Sequence, residues 1–516
     1  MRLKSLAPRV AARAVPLACA IALHAGVVHA QNALSVDPDP AAGTVPLRTL
    51  DARLRLGGEH VHLPGGERMG LAGLTELFNV GGELWVGPGV YGAASGKRGG
   101  LFVPGVEGAW SHPFNDWLAL DTGLFVGGGG GAAAPVGSGL MLRPHLDVVF
   151  RVPGFYMGPT WSKVWFPSGH INSNQVGWMV NFDSTFRFRP AAFAGTSSDG
   201  GATGLGFDHI DATITMAKPR DSTTTAGAPL TQRIGLVGLR AERTIVGPLW
   251  GGIEAAGAGS GGVAGYAEVL GTAGLRWPVI DHLLSLGVRG SVGLGGGGGI
   301  DTGGGLLVKA AAGGTLHLTD TLGIGAEVGV ADAPRGRYKA VTGAVSLNWA
   351  MDVSGATLDN WSAVRPGEPT RMEYAAGVER YRAARKDGRD APLQAVILQV
   401  NRFVTPNFYV TGQGHSAYEG GAGAYSVGLF GVGGQVPVTP WLRLGAEALA
   451  GAAGGGGVDT QGGALLQGRA YVDAALTDSL SLRVGAGKVK AVHGGLDAPV
   501  VDAALVFRFG VDRSRR

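Results

Sequence analysis

The chain has almost no cysteine. Of its 516 residues only Cys19 carries a thiol, and it lies in a leader-like segment, so the rest offers no disulfide framework and no thiolate chemistry. An excess of one charge is also missing. The formal net charge is +4, and the four basic residues Arg2, Lys4, Arg9 and Arg13 stand at the very front. Behind them an apolar core from about Ala14 to Val28 ends in Val28-His29-Ala30 before Gln31. That arrangement predicts a cleaved secretory signal over residues 1–30. Without it the net charge is 0 (+4 less the four basic residues), which leaves no electrostatic footprint for nucleic acid. A lipoprotein reading centred on Cys19 is disfavoured by Pro16, where an aliphatic residue is expected, and by the apolar core running on past the cysteine.

Long hydrophobic runs are absent too. Beyond the leader no stretch reaches the roughly 18 apolar residues of a membrane-spanning helix. Neither a metal site nor a cofactor is expected.

Glycine is what abounds: 93 of 516 residues, against a usual share of roughly 7%. It follows no three-residue period, which excludes collagen. Gly runs begin at Gly127, Gly295 and Gly454, and two of them continue into near-identical text, GGGGIDTGG (Gly296 to Gly304) and GGGGVDTQGG (Gly454 to Gly463). Matching turns follow at Leu318-Thr319-Asp320-Thr321 and Leu476-Thr477-Asp478-Ser479. Alternating segments end each copy: STFRFRP to Pro190, VSLNWAM to Met351 and LVFRFGV to Val511. The expected division is a leader at 1–30, repeats at 31–190, 191–351 and 352–511, and a basic tail at 512–516. Units of roughly 160 residues are too long for a solenoid.

Eight extended segments are expected in each unit, so about 24 strands in an all-β chain. In the second unit they begin near Asp208, Arg233, Leu249, Val263, Leu283, Leu306, Leu322 and Ala340. Most run about 9–14 residues, long enough to cross a bilayer when tilted. Side chains alternate between the two faces at period two. In Leu322 to Val330 one face is Leu, Ile, Ala or Val, and the other is Gly or Glu327. A soluble sandwich would need partner sheets to cover these apolar faces, whereas lipid covers them unaided.

The segment Val501 to Val511 separates Val501, Ala503, Leu505, Phe507 and Phe509 from Asp502, Ala504, Val506, Arg508 and Gly510. With its aromatic pair near the C-terminus it resembles the closing strand of Gram-negative outer-membrane β-barrels of the porin-like class, although residues 512–516 follow the aromatics. The resemblance implies that Leu505, Phe507 and Phe509 form an insertion signal read by the barrel-assembly machinery. It also implies that the barrel sits in outer-membrane lipid. Polar residues on the opposite faces would then line a water-filled interior: Asp121, Arg289, Lys309, Glu327, Glu447, Arg469, Asp473, Arg483 and Arg508.

Two transmembrane antiparallel architectures fit. A single barrel of about 24 strands needs only one closure and is preferred. Three tandem eight-stranded barrels are the alternative, and the long linkers around 191–206 and 352–369 favour separable units. The Gly81-Gly82 turn, residues 111–115, the LTDT and LTDS turns and the linkers are expected at the end that holds the termini, on the periplasmic side. The Gly runs, Lys97-Arg98 and residues 167–174 and 384–390 are expected at the other end.

Candidate chemistry is thin. GGGGIDTGG resembles the Gly-rich nonapeptide of calcium-binding β-rolls, with Asp301 and Asp459 in the ligand position. Such rolls need stacked copies, whereas each copy here stands alone, so a surface loop is expected. No Lys-Ser/Thr closes the runs as a phosphate loop. His170 and Ser173 are three apart, and His415 and Ser416 adjacent. Either pair falls on opposite strand faces, which weakens an outer-membrane lipid hydrolase. Trp85, Trp110, Trp117, Trp161, Trp165, Trp178, Trp250, Trp349, Trp441 and Tyr471 are expected in an aromatic girdle at the headgroups, with a sugar slide open for Tyr156, Trp161, Trp165 and Trp178. The expected function is a non-enzymatic pore for passive or gated passage of polar solutes or polymer. A structural or surface-display barrel with a filled lumen is the alternative, favoured if the units close separately.

Overall fold

Period-two alternation broken by Gly, Pro, Asn and Asp clusters gives strands joined by turns. A computed structural model describes residues 45–198, 203–204, 207–351 and 367–514. The expected leader and parts of both expected linkers lie outside the described residues.

The first octet opens with β1 (Arg48–His62), β2 (Arg68–Gly81), β3 (Leu84–Ser95) and β4 (Phe102–Pro113). It continues with β5 (Leu118–Gly128), β6 (Leu140–Val152), β7 (Phe155–Trp165) and β8 (Asn172–Pro190). The second begins with β9 (His209–Pro219), β10 (Ile234–Val246), β11 (Leu249–Ser260) and β12 (Ala267–Ile280). Its other half is β13 (Leu284–Gly296), β14 (Leu306–His317), β15 (Leu322–Asp332) and β16 (Lys339–Ala350). The third starts with β17 (Gly367–Ala384), β18 (Asp390–Phe403), β19 (Phe408–Glu419) and β20 (Ser426–Pro437). It ends with β21 (Leu442–Gly454), β22 (Ala464–Ala475), β23 (Leu480–Ala491) and β24 (Asp497–Ser514). Consecutive strands within an octet pair antiparallel throughout.

Closure corrects the preferred architecture. Residues 48–59 of β1 pair with 177–188 of β8, residues 340–350 of β16 with 209–219 of β9, and residues 367–381 of β17 with 500–514 of β24. Each set of eight therefore closes on itself, and no single 24-stranded ring forms. Closure satisfies every edge within an octet, so nothing is left for the next octet to extend. Strand pairing between the first and third barrels is limited to a short bridge, Phe509 with Pro190 and Gly510 with Arg189. Asp512, expected in a basic tail, belongs to β24 and pairs with Arg189 at 3.0 Å.

The turns sort into two ends. The β2–β3, β4–β5, β14–β15 and β22–β23 turns share the end that holds the strand termini of each barrel, and the Gly runs lie at the other. At that other end the barrels touch. The Gly99 N–H of the first donates to the Gly303 carbonyl of the second (3.1 Å), and the Gly423 N–H of the third to the Gly137 carbonyl of the first (3.3 Å). Gly265 of the second lies so close to Gly454 of the third that a Cβ there would meet backbone. Together the contacts form a ring.

The Gly runs are not free surface loops. The same backbone bonds recur in all three. Gly129, Gly295 and Ala453 donate to Gly139, Gly305 and Gly463, and Ala134, Ile300 and Val458 donate to Gly131, Gly297 and Gly455. Gly297 and Gly455 hold φ of +90° and +92°, the left-handed region that glycine enters without strain. This turn drives Ile300 and Val458 into apolar clusters beneath the loops, beside Tyr266 and Tyr338 in the second barrel and Tyr425 in the third. The first barrel carries a matching cluster around Val136, Phe125 and Phe166. Each lumen is thus capped at one end.

Candidate functional site: three occupied lumens

Below the caps each lumen is crossed by a layer of charged side chains. Eight strands enclose a space just wide enough for side chains to fill it, so charges facing inward meet one another.

In the first barrel Arg55 is the hub. Its guanidinium contacts Glu107 at 2.5 Å, Asp121 at 3.3 Å and Asp147. His145 spans Asp147 (3.0 Å) and Glu107 (3.2 Å). Arg143 holds Glu59 through two bonds, 2.9 and 3.0 Å, and Arg53 joins Asp183 at 2.9 Å.

The second barrel runs two linked chains. Arg240 contacts Asp211 (2.6 Å) and Glu242 (2.7 Å), and Arg289 contacts Glu327 (2.5 Å) and Glu254 (2.8 Å). Lys309 pairs with Glu268 and Arg276 with Glu242.

In the third, Arg469 bridges Glu447 (2.7 Å) and Asp502 (2.9 Å). Arg483, at 0% exposure, bridges Glu373 (2.7 Å) and Asp473 (3.0 Å). The Tyr409 hydroxyl bonds Glu447 at 2.6 Å and Tyr471 at 2.7 Å, and His415 meets Glu379 at 2.6 Å. Arg508 donates to the Thr477 carbonyl at 3.1 Å.

The nine residues expected along one water-filled interior therefore divide among three lumens. Asp121 lies in the first, Arg289, Lys309 and Glu327 in the second, and Glu447, Arg469, Asp473, Arg483 and Arg508 in the third. Most are locked in ion pairs. The hubs Arg55 and Arg240 were not among the expected residues, nor were Glu107, Asp147 and Glu373. A period-two signal was present for some, as in RLR at 53–55, RPHLD at 143–147 and RAE at 240–242.

The aromatic expectation needs correcting. Trp110, Trp117, Trp277 and Trp441 are exposed near turns at the termini end, as a headgroup girdle requires. Trp250 is only 6% exposed and lies under Arg276 in the second lumen. Trp85 faces Arg53, as does Tyr156, and Tyr471 bonds Tyr409. These four belong to lumens, which splits the proposed sugar slide between inside and outside.

Ser173 accepts the His62 N–H at 3.0 Å, and Ser416 meets Ser426 at 2.8 Å. Neither hydroxyl is bonded to a histidine side chain. His60 and His62 share one exposed face of β1, and no group of three metal-ligating side chains is found among the described residues. Asp301 and Asp459 accept backbone N–H groups of Gly303 (3.0 Å) and Gly495 (2.9 Å) and so brace their loops.

The outer faces have the opposite chemistry. Val176, Ile214, Val328, Val432 and Leu466 stand exposed on strand exteriors, while the charges lie within closed rings whose strands are paired on both sides. Polar inside and apolar outside is what a bilayer demands of a β-structure. The architecture is that of closed β-barrels with apolar outer walls and charged interiors.

No family model matches this barrel protein, and no curated protein matches it. Solved structures that match include OpdQ of Pseudomonas aeruginosa, with 9% identity over 90% of this chain and 98% of that one and a TM-score of 0.21. The siderophore receptor PirA from Acinetobacter baumannii has 9% identity over 91% and 81%, TM-score 0.28. The ferric-catecholate import receptor Fiu from E. coli K12 has 12% identity over 92% and 82%, TM-score 0.27. At this level of likeness the functional reading rests on the chain's own residues.

Proposed function

We propose that the chain is an outer-membrane scaffold: three barrels held side by side, their lumens occupied by side chains instead of water. The observation that carries this reading is the layer of ion pairs crossing every lumen, centred on Arg55, Arg240 with Arg289, and Arg469 with Arg483, under an apolar cap. Planar-bilayer recording tests it. No stable conductance steps are expected, and large steady steps would overturn the scaffold reading.

Passage of polar solutes is the second reading, and one observation favours it. The second barrel has a small vestibule, open to solvent, bordered by Arg240, Arg276, Arg289 and Glu327. Conduction there requires the Arg289–Glu327 layer and the Ile300 cap to move aside, so Ile300→Ala with Arg289→Ala is the variant in which conductance should first emerge.

The three octets read best as copies of one eight-stranded unit, supported by the shared hydrogen bonds of the Gly loops. Export through a cleaved leader at 1–30, and insertion guided by Leu505, Phe507 and Phe509 through the barrel-assembly machinery, complete the proposal.

A further inference from the structure

The outer wall of the third barrel changes character towards its Gly-loop end. On β23 the outward positions run Leu480, Leu482, Val484 and Ala486, then Lys488 and Lys490. Two strands away β17 turns Arg380 and Arg382 outward, and β24 between them shows Val501, Pro499 and Asp497. Lys488 pairs with Pro499 and Arg380 with Val501, and Arg382 directly follows the last pair of that ladder, Tyr381 with Val500. Neighbouring strands lie about 4.8 Å apart, so the Lys488 and Arg382 backbones flank Pro499 across about 10 Å. Two long side chains close such a gap around a single oxyanion.

The charge of this wall is not neutralised within the protein. Lys488 pairs with Asp497 at 2.7 Å, and one nitrogen of Arg382 donates to the Asp390 carbonyl at 3.1 Å. Arg380 and Lys490 are exposed and make no ion pair or hydrogen bond among the described residues. Four cations thus stand against the two acids Asp390 and Asp497, a surplus of two charges. The second barrel has no such cluster: counted from the LTDT and LTDS turns, it carries Val330 and Asp332 where the third has Lys488 and Lys490.

Height along the wall decides what meets this surplus. Lys488 stands eight residues beyond Leu480, about 27 Å along the strand at ~3.4 Å per residue. At a tilt of ~40° that is about 20 Å of depth, against an apolar band about 25 Å tall. An ammonium at the end of its stem therefore reaches the headgroup layer. Beneath it Leu482, Val484 and Val501 stand exposed, a stripe for acyl chain. A phosphate monoester carries about −1.5 to −2 charges at pH 7, which matches the surplus.

We propose that Arg380, Arg382, Lys488 and Lys490 form a docking site for a lipid whose headgroup bears a phosphate monoester. Its phosphate sits over Pro499 between Lys488 and Arg382, and an acyl chain runs down over Val501. Such a site rests on the membrane reading given under Proposed function, because it needs walls that face acyl chains.

The test is native mass spectrometry of the full-length protein released from detergent micelles doped with dioleoyl phosphatidic acid, with dioleoyl phosphatidylcholine and inorganic phosphate in parallel. One phosphatidic acid site per chain should saturate at concentrations where neither of the others binds. Arg382→Gln with Lys488→Gln should weaken it about tenfold or more, while the heat-dependent gel mobility of a folded barrel is kept. Lys218→Gln with Lys339→Gln, at exposed positions at the same end of the second barrel, should leave it unchanged. Undiminished binding in the folded Arg382/Lys488 variant would overturn the site, as would an equal loss in the second-barrel variant. Saturable inorganic phosphate lost in the Arg382/Lys488 variant would show a free-anion site and overturn the lipid. Protein that needs detergent yet shows no preference for phosphatidic acid overturns the site alone. Protein that stays dispersed without detergent overturns the membrane reading, and the site with it.

Discussion

Phe509 of β24 stands edge-on against Phe186 of β8, ring centroids 5.3 Å apart at 78°, and ties the third barrel to the first. Phe188, Phe507 and Tyr374 complete the junction, so the aromatic end of the chain is a packing element between barrels. Edge-to-face pairs of this kind contribute about 1 kcal/mol beyond the area they bury. A double-mutant cycle of Phe509→Ala and Phe186→Ala, followed by urea unfolding in detergent, should return a coupling of about that size. A coupling near zero would show that the two barrels are held together by something else.

Arg483 stands between two acids and is wholly enclosed by the barrel. Removing one partner of a buried ion pair costs about 3–5 kcal/mol, while replacing the whole group by neutral side chains costs far less. Arg483→Ala should therefore destabilise the protein by about 3–5 kcal/mol, because Glu373 and Asp473 lose their hydrogen-bonded partner and are left to the more distant Arg371 (3.7 Å) and Arg443 (3.8 Å). Adding Glu373→Gln and Asp473→Asn should recover most of the loss. Failure of the triple variant to recover would mean that the Arg483 side chain acts mainly by filling volume beside Tyr471, over whose ring it lies at 4.2 Å.

Ile300 and Val458 occupy the same turn in two Gly loops, and both are fully enclosed. Truncating a buried Ile to Ala costs about 2–5 kcal/mol where the surroundings cannot collapse. Ile300→Ala should approach that range, since the flanking glycines are pinned by the Gly297 and Gly305 backbone bonds. Gly455→Ala should be harmful as well, because a Cβ there would collide with the Ala424 carbonyl oxygen. Thermal scans of the two variants check both expectations. A loss below about 0.5 kcal/mol for Ile300→Ala would mark the loop as a surface feature.

These elements differ in how far the sequence discloses them. In the second octet the expected strand starts fall within one residue of the observed ones, except near Val263, where β12 begins at Ala267. There Val263 and Tyr266 look like strand residues but form the turn that feeds the cap, the Tyr266 N–H bonding to the Val263 carbonyl. Alternation separates two faces, Asp502 and Arg508 on one and Leu505 and Phe507 on the other. It could not tell which edges meet. β8 bears the same pattern whether it turns back to β1 or goes on to β9, and the choice depends on pairing between residues far apart along the chain. The ion-pair partners were hidden for the same reason. Arg55 meets Glu107 and Asp147 only once the ring has closed.

The membrane reading is exposed to a direct test at Val328. It lies mid-strand in β15 and is 69% exposed on the outer face. On a water-soluble surface an arginine there would change stability by no more than about 0.5 kcal/mol. In a bilayer the same substitution at mid-depth costs about 2–4 kcal/mol, falling to about 0–1 near the headgroups. Val328→Arg should therefore be strongly destabilising in lipid vesicles, and Leu318→Arg, in the turn at the termini end, nearly neutral. Equal and small effects at the two positions would mean that water, not acyl chains, surrounds the barrel walls, and the outer-membrane assignment would fall with them.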